Sequence, residues 1–259
     1  MKIGAYQFAV SGSIDRNLQA ICQAVWKATE QKVRLLVFPE CALTGYPPYD
    51  LENSAAVDFK KLEAAFERLR HLSRETGMYL VVGSITKDGD TYHNSAITFA
   101  PDGSRSVSHK RALWGWDRDN FSPAVGAEIL NVDGFRVGVR ICFEVRFPEF
   151  FRELYRKTDL NLILFYDVSR EDSADRYELI KAHIRTRSVE NVCHTLSVDA
   201  IAPWQTAPTA LFDRSGGIVA ELERNREGLL VCDLEMTDPD FGEQGRLELS
   251  DWLVHRPCE

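Results

Sequence analysis

Apolar residues along this chain come in short solid runs separated by amphipathic stretches, and the alternation persists almost from end to end. Residues 2–9 read as a strand, and residues 15–32 place Leu18, Ile21, Val25 and Ala28 at helical spacing. Residues 33–38 are mostly apolar and read as a buried strand. The proline pair in residues 44–50 excludes regular structure there, and residues 54–76 are expected to form one long helix stopped by Gly77. Strands follow at 78–85, 93–100 and 104–109. Residues 114–126, rich in aromatic, charged and turn residues, read as an irregular loop. A hairpin is expected from 128–132 and 135–141, turned at Asp133-Gly134. Beyond it the pattern gives a Pro-initiated helix at 150–157, a strand at 160–166, a helix at 174–190 and a strand at 192–199. The last strands fall near Ala210, Ile218 and Leu229.

Strands and helices alternate, with hairpins mixed in, which indicates an α/β layered architecture with a mixed sheet. The hairpins disfavour the eight uniform units of a TIM barrel. With no linker or repeat, 259 residues are read as a single domain with a short tail from about residue 236. That tail is expected to be too short for a further domain and to pack on a second subunit, giving a homodimer or higher homo-oligomer. A net charge of −8 with no basic block argues against nucleic acid as a partner. No apolar run is long enough for a membrane span, and the N-terminus lacks a signal-like apolar region. Six cysteines without a C-x-x-C spacing read as reduced thiols of a cytoplasmic protein. The histidines are scattered, and there is no phosphate loop or dinucleotide fingerprint, so neither metal nor organic cofactor is expected.

Three strand-like runs end on residues that carry chemistry. Leu35-Leu36-Val37-Phe38-Pro39 ends at Glu40, the segment after the Pro101-Asp102-Gly103 turn ends at Lys110, and Phe135 to Ile141 ends at Cys142. Ligands and catalysis in open α/β sheets gather at such edges, and the positive end of a following helix is expected to favour a thiolate at Cys142. Singly, each has an ordinary explanation: a buried structural thiol, or a solvated charge.

Together the local patterns resemble the nitrilase (carbon–nitrogen hydrolase) superfamily. Phe38-Pro39-Glu40 precedes Thr44-Gly45-Tyr46, Lys110-Arg111-Ala112-Leu113 follows, and Cys142-Phe143-Glu144-Val145-Arg146-Phe147-Pro148-Glu149 forms the nucleophile block. Arg187-Ser188-Val189-Glu190-Asn191 completes the set, so the resemblance runs from Ala5 to about Leu234. It implies a four-layer α-β-β-α sandwich with mixed sheets, and a Glu-Lys-Cys triad acting on the C–N bond of a small amide. In those roles Cys142 attacks, Glu40 moves the proton, and Lys110 stabilises the oxyanion with the backbone N–H of Phe143. The Lys110 charge is expected to lower the Cys142 pKa and keep Glu40 ionised, with burial pushing the other way on Glu40.

Departures from the family pattern bear on specificity. Its second acid is replaced by Asp117, with Asp119 the alternative in register and a solvated loop acid the plain reading. Tyr166-Asp167 stands where small residues or proline are common, and Asp199 where Asn is usual. Arg146 either binds a substrate carboxylate or pairs internally with Glu149, Glu144 or a neighbouring helix. Tyr46, Tyr166, Trp114 and Trp116 either shape a pocket or pack down as core, while Glu190 and Asn191 are expected to tie a helix end to the sheet. Cys142-Phe143-Glu144 favours amide over nitrile hydrolysis, with N-carbamoyl hydrolysis as a further enzymatic reading. A catalytically silent binding or assembly protein on the same fold is the reading from outside enzymology.

Overall fold

The computed structural model describes residues 1–124 and 129–254. The strands are β1 (Lys2–Gln7), β2 (Leu35–Val37), β3 (Tyr79–Asp88), β4 (Thr91–Phe99), β5 (Arg105–His109), β6 (Ile129–Val132) and β7 (Phe135–Ile141) in the first half. The second half carries β8 (Leu160–Phe165), β9 (Val168–Ser169), β10 (His194–Asp199), β11 (Trp204–Gln205), β12 (Ala210–Phe212), β13 (Ile218–Glu221) and β14 (Gly228–Asp233). Helices are α1 (Ile14–Glu30), α2 (Phe59–Thr76), α3 (Asp117–Asn120), α4 (Pro148–Arg152), α5 (Ala174–Asn191) and α6 (Phe241–Val254).

Two six-stranded sheets form, ordered β14-β1-β2-β3-β4-β5 and β13-β12-β10-β8-β7-β6. Each is mixed: β1, β2 and β3 run parallel in one, β7, β8 and β10 in the other, and hairpins flank both sets. Side-chain alternation decides the layers. Ile3, Ala5, Val37 and Val81 of the first sheet meet Val139, Ile141, Leu162, Leu164 and Val198 of the second, filling the space between them. The opposite face of the first sheet, with Tyr6, Leu36, Phe38 and Leu80, packs on Ile21, Val25, Leu62 and Leu69 of α1 and α2. Across the molecule, Ile163, Phe165 and Phe212 pack on Phe151 of α4 and on Ile180 and Ile184 of α5. The result is the expected α-β-β-α sandwich.

Several local expectations need correction. The helix expected over 54–76 is split: a single 3₁₀ turn, Ser54–Ala56, precedes α2, whose N-cap is Asp58 accepting from Lys61 N. The region expected to be an irregular loop at 114–126 contains α3, and the part of it beyond residue 124 lies outside the described residues, as does residue 128 of the expected hairpin. The helix expected over 150–157 is only five residues long, Pro148–Arg152, and a 3₁₀ turn over Cys142–Arg146 separates it from β7. Its early end has a physical cause. The buried guanidinium of Arg140 donates through Nε and Nη2 to the carbonyl of Phe150, at 2.9 and 2.5 Å. Leu154 N, deprived of that acceptor, bonds Phe151 O instead, and the chain continues as tight turns. The tail contains α6, docked by Leu247 and by Tyr155 Oη donating to Leu247 O and Asp251 Oδ1. Among the described residues the cysteines are free thiols, and no helix is long and apolar enough to cross a membrane.

Candidate active site

The ends of β2, β5, β7 and β8 converge at one edge of the sandwich, each followed by a residue of the cluster: Glu40, Lys110, Cys142 and Tyr166. Glu40, Lys110 and Asp117 are each at most 1% exposed. Lys110 Nζ lies 2.7 Å from Glu40 Oε1 and 2.8 Å from Asp117 Oδ2. Asp117 is therefore the loop acid that reaches the lysine, while Asp119 is exposed. The α3 turn delivers it, because its Oδ2 accepts from Trp114 N, and Tyr46 Oη donates to Oδ1 at 2.5 Å.

Glu40 is held from both sheets. Asn94 Nδ2 donates to its Oε1 at 2.6 Å, and Tyr166 N donates to its Oε2 at 2.8 Å. Glu40 N in turn donates to Phe165 O at 3.2 Å. The Pro39–Cys41 turn lies so close to β3 that a Cβ on Gly83 would sit 2.1 Å from Pro39 O and 2.6 Å from Glu40 Cα. Only glycine at position 83 admits that approach. The sequence singles out neither Asn94 nor Gly83, since neither carries a recognisable chemical signal on its own.

Cys142 takes φ = 47°, in the left-handed region, at the junction of β7 and the 3₁₀ turn. A non-glycine residue held there is strained, and such positions cluster at active sites. The turn is braced by Glu144, whose carboxylate accepts from Ile141 N at 2.7 Å and from Arg111 N at 3.0 Å, clamping the cysteine's strand end to the lysine's. A second brace comes from Arg187, which donates to Val145 O at 2.9 Å and pairs with Glu190 at 2.6 Å. Glu190 and Asn191 thus tie α5 to this turn and to Arg152, rather than to the sheet as expected. The sheet tie comes from Ser188, which bonds Thr195 of β10.

The electrostatics reverse one expectation. Part of Cys142 opens to a cleft, yet burial of its sulfur pushes the thiol well above its ordinary pKa; Glu40, Asp167 and Asp117 add to this, against Lys110. One ammonium faces two nearby carboxylates, and the helix after the cysteine is too short and too far along the chain to compensate. The surroundings thus favour the thiol over the thiolate at Cys142. Burial raises Glu40 above the usual carboxylate range, with Lys110 pulling down and Asp117 pushing up. Burial opposes the charge of Lys110, but Glu40 and the other acidic neighbours raise its pKa well above normal, so it stays an ammonium.

The cleft outside Cys142 has a volume of about 830 Å³ and includes Tyr46, Tyr166, Trp114, Trp116, Phe143 and Arg146 in its lining. Tyr46 and Tyr166 stack at 4.9 Å, and the Phe143 ring lies 5.1 Å from Trp114. Arg146 forms no ion pair among the described residues, so the internal pairing with Glu149 or Glu144 is not what the structure contains. Asp167 pairs with Arg176 at 2.7 Å, and the fully buried Asp199 accepts from the backbone N–H groups of Asp167 and Ala207. These acids hold the wall in place. No group of three or more His, Cys, Asp or Glu residues among the described residues could hold a metal ion.

The fold has counterparts among solved structures. The NitN amidase from Nesterenkonia sp. AN1 superposes with a TM-score of 0.80 at 26% identity, covering 97% of this chain and 98% of that one. A Glu-to-Gln variant of the amidase from the same source, 25% identical with a TM-score of 0.80, bears acrylamide added at its active-site cysteine; 97% of this chain and 98% of that one are covered. By sequence, Omega-amidase NIT2 from Xenopus tropicalis is 27% identical over 175 residues, which is 63% of this chain and 62% of that protein. A nitrilase from Pyrococcus abyssi is 32% identical over 145 residues, 55% of each. The match therefore spans less than two thirds of the length of these two relatives. The family model described as carbon-nitrogen hydrolase matches residues 2–238, and the chain belongs to that family.

Proposed function

We propose that the protein is a cysteine-dependent amidase that cleaves the C–N bond of a small linear non-peptide amide, releasing ammonia or an amine and a carboxylic acid. One observation carries the reading: a buried Glu40–Lys110–Asp117 cluster at the base of a cleft onto which the strained Cys142 opens. A binding or assembly protein would have no use for two carboxylates and an ammonium desolvated at the foot of a cleft, an arrangement costly to folding.

The proposed chemistry assigns each residue a step. Glu40 accepts the Cys142 thiol proton as sulfur bonds to the amide carbon and the C=O electron pair moves onto oxygen. Glu40 and Asp117 engage two of the three N–H donors of Lys110, leaving the third for this oxyanion, beside the backbone N–H of Phe143. The oxyanion collapses, the C–N bond breaks, and Glu40 returns the proton to the leaving nitrogen. Water, deprotonated by Glu40, then hydrolyses the thioester, and the proton returns to the departing thiolate.

The relatives include amidases and a nitrilase, so the test uses a panel of primary amides, N-carbamoyl compounds and nitriles. Expected are ammonia release from amides and a mass increase on the Cys142 peptide equal to the acyl group. Absence of both across the panel would favour the silent-fold reading.

Arg146, half-buried on the cleft wall and without an ion pair among the described residues, suits an acyl chain that ends in an anion. Arg146→Leu is expected to raise KM about tenfold or more for an amide with a distal carboxylate, and to leave a neutral amide of equal length unchanged. Equal effects on both would return Arg146 to a structural role. We also propose a homodimer and a reducing, cytoplasmic setting. Exposed Phe241, Leu249 and Leu253 along α6 support the first, and the free thiols the second.

A further inference from the structure

The four acceptor positions of the Glu40 carboxylate are unequally occupied, and the inequality has a chemical consequence. Each carboxylate oxygen offers two acceptor positions. On Oε1 both are taken, by Lys110 Nζ at 2.7 Å and Asn94 Nδ2 at 2.6 Å. On Oε2 one is taken, by Tyr166 N at 2.8 Å. Among the described residues one position remains, and it is on Oε2.

We propose that Asn94 is a positioning residue that, with Lys110, fills Oε1 and so commits Oε2 as the oxygen that carries the proton between Cys142 and the leaving nitrogen. This rests on the general-base reading of Glu40 given above. In the step concerned, the S–H bond breaks, its proton forms the O–H bond on Oε2, and the electron pair left on sulfur forms the S–C bond.

Asn94 is suited to the task at both ends of its residue. Its side chain fixes Glu40, while its backbone O accepts from Lys110 N at 2.8 Å, so one residue of β4 sets base and cation together. Its own Oδ1 is buried with no partner among the described residues. A residue kept only to fill space would not leave a buried carbonyl unpaired, since that carries a penalty. Reversing the amide would bring Oδ1 against a carboxylate oxygen, so the donor must face Glu40.

The groups facing Glu40 are Lys110 after β5, Asp117 of α3, Tyr46 of the loop after β2, the adjacent Cys41, and Cys142 after β7. Among the described residues, Asn94 Nδ2 donates to Glu40 alone, whereas the Asp117 carboxylate is held by Tyr46, Trp114 and Lys110. Removing the Asn94 donor therefore acts first on Glu40.

The test is the pH dependence of kcat/KM for the wild type, Asn94→Ala and Asn94→Asp, with Glu40→Gln as the control. A donor to the charged form lowers a carboxyl pKa. Its loss in Asn94→Ala is expected to move the acidic limb up by about one pH unit, so activity falls about tenfold more on the acid side than on the plateau. Asn94→Asp keeps the shape, removes the donor and adds an acid, so its limb should move further. A uniform loss with an unmoved limb in both variants would overturn the proposal, because that is what a purely structural role gives. A Glu40→Gln enzyme as active as the wild type would instead overturn the general-base reading beneath it.

Discussion

Lys110→Met is expected to lower kcat/KM by about a thousandfold, the scale associated with losing one preorganised oxyanion donor. The loss is compounded because Glu40 forfeits the charge that favours its ionised form. The same variant carries a second signature. Glu40 and Asp117 stay buried beside each other with no cation between them, and stranding one side of a buried pair costs about 3–5 kcal/mol. Burial already raises Glu40, and without the Lys110 charge its pKa in the folded protein lies further above the unfolded value of about 4. A carboxyl shifted upward favours folding below its unfolded pKa and loses that contribution as pH rises through the folded value. The Tm deficit of the variant should therefore shrink as pH is lowered from about 8 to about 5. Steady-state ammonia release and calorimetry over that range check both signatures. A turnover within tenfold of the wild type, or a Tm deficit independent of pH, would remove Lys110 from the role assigned to it.

Gly83→Ala is expected to cost at least a hundredfold in kcat/KM while lowering stability by only about 1–3 kcal/mol. The new methyl would lie 2.1 Å from Pro39 O and 2.5 Å from Cys41 N, both backbone atoms that cannot rotate away. The turn carrying Glu40 must shift by an ångström or so, and displacements of that size at a reacting group are enough for such losses. Gly83 lies in β3 with no chemical group to offer, so the effect would be purely positional. A Gly83→Ala enzyme with near-normal kcat/KM would show that the turn at Glu40 is compliant. Parallel thermal melts separate the positional effect from unfolding.

The alternation of apolar runs and amphipathic stretches is enough to place most strands and the long helices, because burial on a sheet face or helix stripe is a local periodic signal. Glu40, Lys110 and Cys142 are legible as a set because each ends a strand-like run and the motifs around them together resemble one family, whereas singly each reads as a buried thiol or a solvated charge. Asn94 is not: it reaches Glu40 from two strands away, across β3, and only strand register reveals that neighbour. The Tyr166 contact is hidden for a related reason, since the backbone N–H that holds Glu40 belongs to the opposite sheet. The helix after Cys142 reads as longer than it is because Arg140 captures the carbonyl of Phe150 from ten residues earlier in the chain. Asp117 can be nominated by position, but its pairing with Lys110 and Tyr46 is a tertiary fact. The thiol's raised pKa escapes a sequence reading because counting the one cation leaves out the burial of the sulfur and the acids Glu40, Asp167 and Asp117 that gather around it in space.

The proposed base and nucleophile stand on different sheets, and among the described residues Glu40 is hydrogen-bonded to the second sheet through Phe165 O and Tyr166 N. In the proposed reaction, the gap that the proton would cross is thus set by the thickness of the apolar layer in between, on the order of 10 Å from sheet to sheet. Val81, Ala96, Ile141 and Leu164 in that layer act as shims. Exchanging one for a neighbour a methyl group larger or smaller resets the reaction distance without touching substrate, so natural variation in reaction rate can accumulate in the greasy middle of the molecule.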